Sequence, residues 1–168
     1  DITFIRSLWL FGDSNTALIY WLAADARQDR LLQFFAHPMV ALRDFHSLRR
    51  QGVGKMFETW SEGETLAIRP ATPWTIRGLE HITLYLTPTG LKGPATVPFR
   101  DAGDWWYNFR YRVEAERGQD CGEDLFTPGY YELAGRGNLG FGLWIDTHGH
   151  KAKTLAKYLE RVNYYLSA

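Results

Sequence analysis

The residues best placed to do chemistry lie near the two ends of the chain. Gly12-Asp13-Ser14-Asn15 closes an apolar run (Ile2, Phe4, Ile5, Leu8, Trp9, Leu10, Phe11), and a helical pattern of Ala17, Leu18, Trp21 and Leu22 follows from Thr16. Strand, polar turn and helix in that order expose the Ser14 hydroxyl at a helix amino end. There, N–H groups and the positive dipole end stabilise a developing oxyanion. Asp13 and Ser14 equally describe an ordinary N-cap. Near the other end, Asp146-Thr147-His148-Gly149-His150 follows a second apolar run, residues 141 to 145. An imidazole accepts a serine proton, and a carboxylate beside it fixes the tautomer and steadies the imidazolium. Brought together, Ser14, Asp146 and either His148 or His150 would be nucleophile, orienter and base.

Other uses of the same residues stay open. Asp146 can cap a final helix, with both histidines in solvent. Asp146, His148 and His150 also offer three ligands for zinc or a similar ion, a minor alternative. Around the nucleophile, Asp13 and Asn15 of the turn are candidate oxyanion or binding residues, and Asn138 in Gly135-Arg136-Gly137-Asn138 presents an amide that serves as an oxyanion donor or simply as a turn former. His37, ahead of Pro38, and His46, among Arg43, Arg49 and Arg50, read as surface residues, and His81 as a structural histidine opening a strand. Trp105-Trp106 and Tyr130-Tyr131 can stack on a sugar ring or a neighbouring subunit, or fill a core.

The composition narrows the classes. In 168 residues, 19 basic side chains balance 19 acidic ones, so nothing points to nucleic acid or an anionic membrane surface. Length and balance predict a single domain over 1–168 with a core that needs no disulfide. Cys121 is the only cysteine, which excludes an internal disulfide and CxxC metal sites. No apolar run reaches the length of a membrane span. No cofactor is expected. Because the chain starts at Asp1, a leader, tag or longer preceding segment is expected to have been removed. A secreted or organellar location is compatible with that start and the single cysteine, and the compartment is left open.

The elements that must position these residues read as follows. Helical periodicity continues through Ala24, Leu31, Leu32 and Phe35 until His37-Pro38 ends it. Residues 39 to 45 read as a short strand, and residues 55 to 60 and 65 to 69 as a hairpin around Ser61-Glu62-Gly63-Glu64. A strand over 82 to 86 precedes a Pro- and Gly-bearing stretch, 87 to 104, that reads as a long loop or lid. Alternation then puts Trp106, Asn108, Arg110 and Arg112 on one face of a strand, with Tyr107, Phe109, Tyr111 and Val113 on the other. A strand near 130 to 133 and a final helix with Ala152, Leu155, Leu159 and Val162 on one face complete the chain. These elements predict an α/β, three-layer domain with a mixed sheet, β-hairpin elaboration in the middle and a C-terminal helix.

The block Leu8-Trp-Leu-Phe-Gly12-Asp13-Ser14-Asn15-Thr16 resembles the first motif of the SGNH (GDSL-type) hydrolases, especially the PC-esterase branch with the NXPE-like proteins. The segments Phe57-Glu-Thr-Trp60 and 66 to 74 are loosely similar to that branch as well. The resemblance implies Ser14 as nucleophile, Asp146 as orienter, His148 or His150 as base, and an oxyanion hole built from the Ser N–H, a Gly and an Asn. It implies a serine esterase or O-acyltransferase acting on a small-molecule or carbohydrate ester. The alternative expectation is a non-catalytic structural or interaction subunit, with protein partners docked on its aromatic-rich surface.

Overall fold

The computed structural model describes residues 1–12, 14–43, 47–52, 54–71, 82–90, 97–149, 155 and 157–162. Nine strands dominate them: β1 (Ile2–Phe11), β2 (Thr16–Asp25), β3 (Leu31–Ala36), β4 (Phe57–Glu62), β5 (Thr65–Pro70), β6 (Leu84–Thr89), β7 (Phe99–Arg110), β8 (Gly122–Arg136) and β9 (Leu139–Asp146), with a short helix, α1 (Arg112–Glu116), and a C-terminal helical run described at 155 and 157–162. They form a six-stranded sheet in the order β1-β2-β9-β6-β5-β4 and a three-stranded sheet in the order β3-β8-β7. Every pairing is antiparallel. The architecture is a β-sandwich, not the expected three-layer α/β domain with a mixed sheet.

The physical reason lies in β2. Its register against β9 sets Leu18 opposite Trp144 and Trp21 opposite Phe141, so the odd and even positions of β2 face opposite ways. Inward, Trp21 stacks on Phe141 (5.6 Å) and meets Phe34 of the small sheet (5.9 Å). Outward, Leu18 joins Phe11 and Trp144 beneath Leu155, Leu159 and Val162 of the C-terminal helical run. A strand covered on both faces is apolar at nearly every position, and its sequence loses the alternation that marks a half-buried strand. In such a run the 3.6-residue period is met by accident. The β-branched and aromatic Ile19, Tyr20 and Trp21 carry the deciding propensity. The helix expected from Thr16 to Phe35 is therefore β2, a turn and β3.

Between the sheets lies the main core. Val40, Phe57, Leu66, Ile68, Leu86, Tyr131, Phe141 and Leu143 are all buried there. Tyr131 is fully buried, touches Phe141 at 5.5 Å and donates its hydroxyl to the Leu86 carbonyl at 3.3 Å. Phe57 stacks on Phe126 at 5.0 Å, joining the sheets at the β4 end. The hairpin around residues 61 to 64 is present as β4–β5. The stretch 87 to 104, expected as a lid, instead holds the end of β6 and the start of β7, with 91–96 outside the described residues. Pro88 sits in β6 because β5 pairs only with 84–86, leaving a neighbour on one side alone, where a strand tolerates proline. Of the strand expected over 39 to 45, only a bridge from Val40 to Phe126 is seen, and 44–46 lie outside the described residues.

On the outer face of the large sheet the Tyr20 ring lies over Gly140 and Gly142. A Cβ at Gly142 would come within 2.9 Å of that ring and 2.7 Å of the Thr89 methyl. Burial pushes the Tyr20 phenol up to about 12. β1 forms one edge of this sheet and leaves Phe4, Leu8 and Leu10 exposed.

Candidate functional site

The link between β1 and β2 and the end of β9 share one end of the large sheet. Ser14 lies in the four-residue link between β1 and β2, with its N–H on the Phe11 carbonyl at 3.2 Å. That link joins two strands, so Ser14 has no helix amino terminus behind it, and the dipole argument for an oxyanion site falls. The Tyr158 hydroxyl donates to the Ser14 hydroxyl oxygen at 3.2 Å, tying the link to the C-terminal helical run, where the Tyr158 ring packs on Phe11 at 4.5 Å. Asp146 ends β9 opposite Thr16 and is 1% exposed. One of its oxygens accepts the His148 N–H at 2.8 Å, a turn contact, while the His148 side chain is exposed with Nδ1 3.4 Å from the Thr147 hydroxyl.

Asn138 stands at the far end of β9, separated from Asp146 by roughly 24 Å of strand. Its amide oxygen accepts the Asp25 N–H at 3.1 Å, closing the other end of the sheet. Asn138 and Ser14 are not brought together. Asn15 is exposed in the β1–β2 link. Asp13, His46, His81 and His150 lie outside the described residues. Among the described residues there is no group of three or more metal-ligating side chains.

A different constellation occupies the outer face of the small sheet. Alternation along β8 turns Tyr131 into the core and Tyr130 outward; in β7, Trp105 packs on Phe57 and Phe126 while Trp106 is 43% exposed. Each aromatic pair noted in the sequence is thus split between core and surface, because neighbouring strand residues face opposite ways. Phe35 of β3 and His37 just beyond it complete a row of rings. Phe35 to Tyr130 spans 5.8 Å at 65°, Tyr130 to His37 5.1 Å at 30°, and His37 to Trp106 6.0 Å at 54°. Beside the row, Glu132 accepts from Gln33 at 3.2 Å and pairs with Arg100 at 3.4 Å.

β7 is an edge strand with two irregularities against β8, between Asp101 and Asp104 and between Trp106 and Phe109. At each, β7 carries one residue more than β8, which bends and twists an edge. Asn108 sits in the second with φ of 60°, its N–H held by Asp124 at 2.9 Å. The bent strand, residues 104–110, lines an open groove of about 510 Å³, with Trp106 among its lining residues. The alternation expected over 106 to 113 breaks at this point, and Arg112 and Val113 belong to α1.

A buried polar network holds segment 47–52 against β7 and β8. Glu123, fully buried on β8, accepts from Nε and, at 2.9 Å, from NH2 of Arg43, from the Tyr111 hydroxyl at 2.5 Å and from the Arg49 N–H at 3.1 Å. Burial alone would raise its carboxyl; the bonds from Arg43, Tyr111 and Arg49 outweigh that and hold it below the usual carboxylate range. Next to it, the N–H groups of Asn108 and Gln51 hold Asp124 low, with Arg50 adding its charge. The Arg50 guanidinium lies where a Cβ on Gly122 would stand. Segment 47–52 is thereby pinned to β7, and Gln51 accepts the Tyr107 hydroxyl at 2.7 Å. Sequence reasoning missed this network: its carboxylates are adjacent residues whose arginine partners lie some 70 to 80 positions away.

Residues 1–138 match the family model described as glycogen debranching enzyme N terminal, and the chain belongs to that family. No curated protein and no solved structure matches it. The family match overturns the resemblance to SGNH hydrolases and, with it, the serine esterase or acyltransferase reading. Gly12 and Ser14 lie in a hairpin link. Among the described residues no helix is long and apolar enough to cross a membrane.

Proposed function

We propose that this member of the glycogen debranching enzyme N-terminal family is a non-catalytic, carbohydrate-related domain, and that the carbohydrate is a glucose polymer. The match over residues 1–138 carries the reading. The fold supports it physically. Antiparallel sheets hold side chains in fixed rows, so a rigid face can be offered to a polymer with little ordering cost on the protein side. Exposed aromatic rings favour the C–H faces of sugars over bulk water, and rim amides and charges serve the hydroxyls. In this reading the chain holds the polymer and leaves bond breaking to a separate catalytic unit. Native electrophoresis of the purified chain through gels containing glycogen tests it. Retardation relative to a non-binding reference protein is expected, with no glucose or oligosaccharide released. Unchanged mobility, or release of sugar by the chain alone, refutes it.

A further inference from the structure

We infer that the row Phe35, Tyr130, His37 and Trp106 on the outer face of the small sheet is a binding platform for an α-linked glucan, whose chain continues past Trp106 into the groove along residues 104–110. The inference rests on the reading of the chain as a carbohydrate-related domain and names the place and the linkage.

Three observations carry it. The first is exposure. Phe35 and Trp106 remain 46% and 43% exposed, whereas Ala36 beside the first is buried and Trp105 beside the second packs on Phe57 and Phe126. Rings left in water on a rigid sheet, with successive centroids 5 to 6 Å apart, form a contiguous apolar strip of the kind that marks a binding surface. The second is the rim. Gln33, Glu132 and Arg100 are bonded to one another beside the rings, so the charges there are already matched. A charged partner gains nothing from such a rim, and an apolar one would strip water from both ions. Sugar hydroxyls, which donate and accept, can meet Glu132 and Arg100 together. The rim therefore suits a neutral polyol.

The third is curvature. Adjacent rings are turned by 65°, 30° and 54°. A flat β-1,4-linked ribbon presents coplanar sugar faces and needs coplanar rings. An α-1,4-linked chain curls, turning each sugar face relative to the last, and matches rings that turn. The bulged segment of β7 that carries Trp106 lines the groove of about 510 Å³, room for the chain to continue.

The test compares the full 168-residue chain with Trp106→Ala, Tyr130→Ala and the double variant. Maltoheptaose and cellohexaose are titrated by calorimetry, and glycogen is presented in native gels. Trp60→Ala, on the large sheet, serves as control, and thermal melts establish folding. The expected result is maltoheptaose binding at least tenfold tighter than cellohexaose binding, weakened about fivefold or more by each single variant and lost in the double. Trp60→Ala should bind like the wild type. Should Trp106→Ala fail to fold, Phe35→Ser at the far end of the row takes its place with the same expectation. Wild-type affinity in a folded double variant overturns the platform while leaving the carbohydrate reading standing. Equal affinity for the two oligosaccharides overturns the α-linkage. A wild-type chain that binds neither maltoheptaose nor glycogen overturns both the platform and the reading beneath it.

Discussion

Replacing Glu123 by glutamine should destabilise the chain by breaking the anchor of segment 47–52. The carboxylate receives four hydrogen bonds, two from Arg43, one from Tyr111 and one from the Arg49 backbone, and every one comes from a donor. A glutamine oxygen can accept about two of them, and its NH2 group turns further donors against the remaining donors. Solvent does little to soften the loss: the Glu123 side chain is 0% and the Arg43 side chain 15% exposed. Hydrogen bonds to a charged group are worth about 1.5–3 kcal/mol each, and removing one partner of a buried ion pair costs about 3–5 kcal/mol, the two measures overlapping rather than adding. A loss of about 3–4 kcal/mol follows. For a chain of this length that is roughly 6–16 °C in melting temperature. Urea titrations at pH 7, followed by far-ultraviolet circular dichroism and by tryptophan fluorescence, should show a lower midpoint with an unchanged slope. An Arg43→Met, Glu123→Met double variant should be less damaged than the two single changes combined, because the cation and the carboxylate leave together. A loss under about 1 kcal/mol in Glu123→Gln, or simple additivity in the double variant, would refute the assignment of the network as the anchor of segment 47–52.

Acid should act on the same groups. Glu123, Asp124 and Asp25 all titrate below their ordinary values of 4.5, 3.8 and 3.8 when folded. The unfolded chain therefore binds more protons in that range, and their stabilisation is complete above about pH 5 and is lost as pH falls through the folded values. Urea midpoints should be level from pH 7 to 5.5 and fall below about 4.5, with a shallower fall in Glu123→Gln; a midpoint that rises on acidification would contradict this. On the opposite face of the sandwich, Gly142→Ala places a methyl within 2.9 Å of the Tyr20 ring and 2.7 Å of the Thr89 methyl. Overpacking of that kind costs about 1–3 kcal/mol, measurable in the same melts, and a neutral result would mean that the Tyr20 ring is free to move aside.

How far the sequence discloses this molecule depends on how many faces of each element are covered. The hairpin β4–β5 is legible because a polar turn at residues 61 to 64 separates two short runs. The C-terminal helical run is legible because Leu155, Leu159 and Val162 meet the sheet along one stripe. β2 is not, since both of its faces are packed and the resulting apolar block fits either period. Once β2 is taken for a helix, Gly12-Asp13-Ser14-Asn15 becomes a strand-to-helix turn and Ser14 acquires a dipole it does not have. The error in function grew from that error in period. Ser14 and Asp146 stand at the same end of the large sheet because β9 pairs alongside β2. The platform was half legible. Trp105-Trp106 and Tyr130-Tyr131 stood out, but a doubled aromatic cannot say which ring faces water until a register is known.

Placement, more than number, decides which aromatic side chains can meet a ligand. Between the sheets, Tyr131, Phe141 and Phe57 are spent on the core. Over β1, β2 and β9, the C-terminal helical run covers Phe11 and Trp144. Toward the β4 edge, Arg69 lies over the Trp60 ring at 5.4 Å and Glu62 holds its indole N–H at 2.7 Å, so that ring is engaged from above and at its rim. On the small sheet the rings meet one another at tilted angles, and Phe35 and Trp106 keep nearly half their surface in solvent. Burying the two rings there against a sugar removes apolar surface from water at about 25 cal/mol per Å², with no side chain to be displaced first. Both irregularities of β7 fall next to this row, and the Glu123 and Asp124 network holds the strand in its bent course. The buried carboxylates and the exposed rings are then two parts of one device, in which a saturated polar anchor keeps bent the edge strand that carries Trp106 and lines the groove.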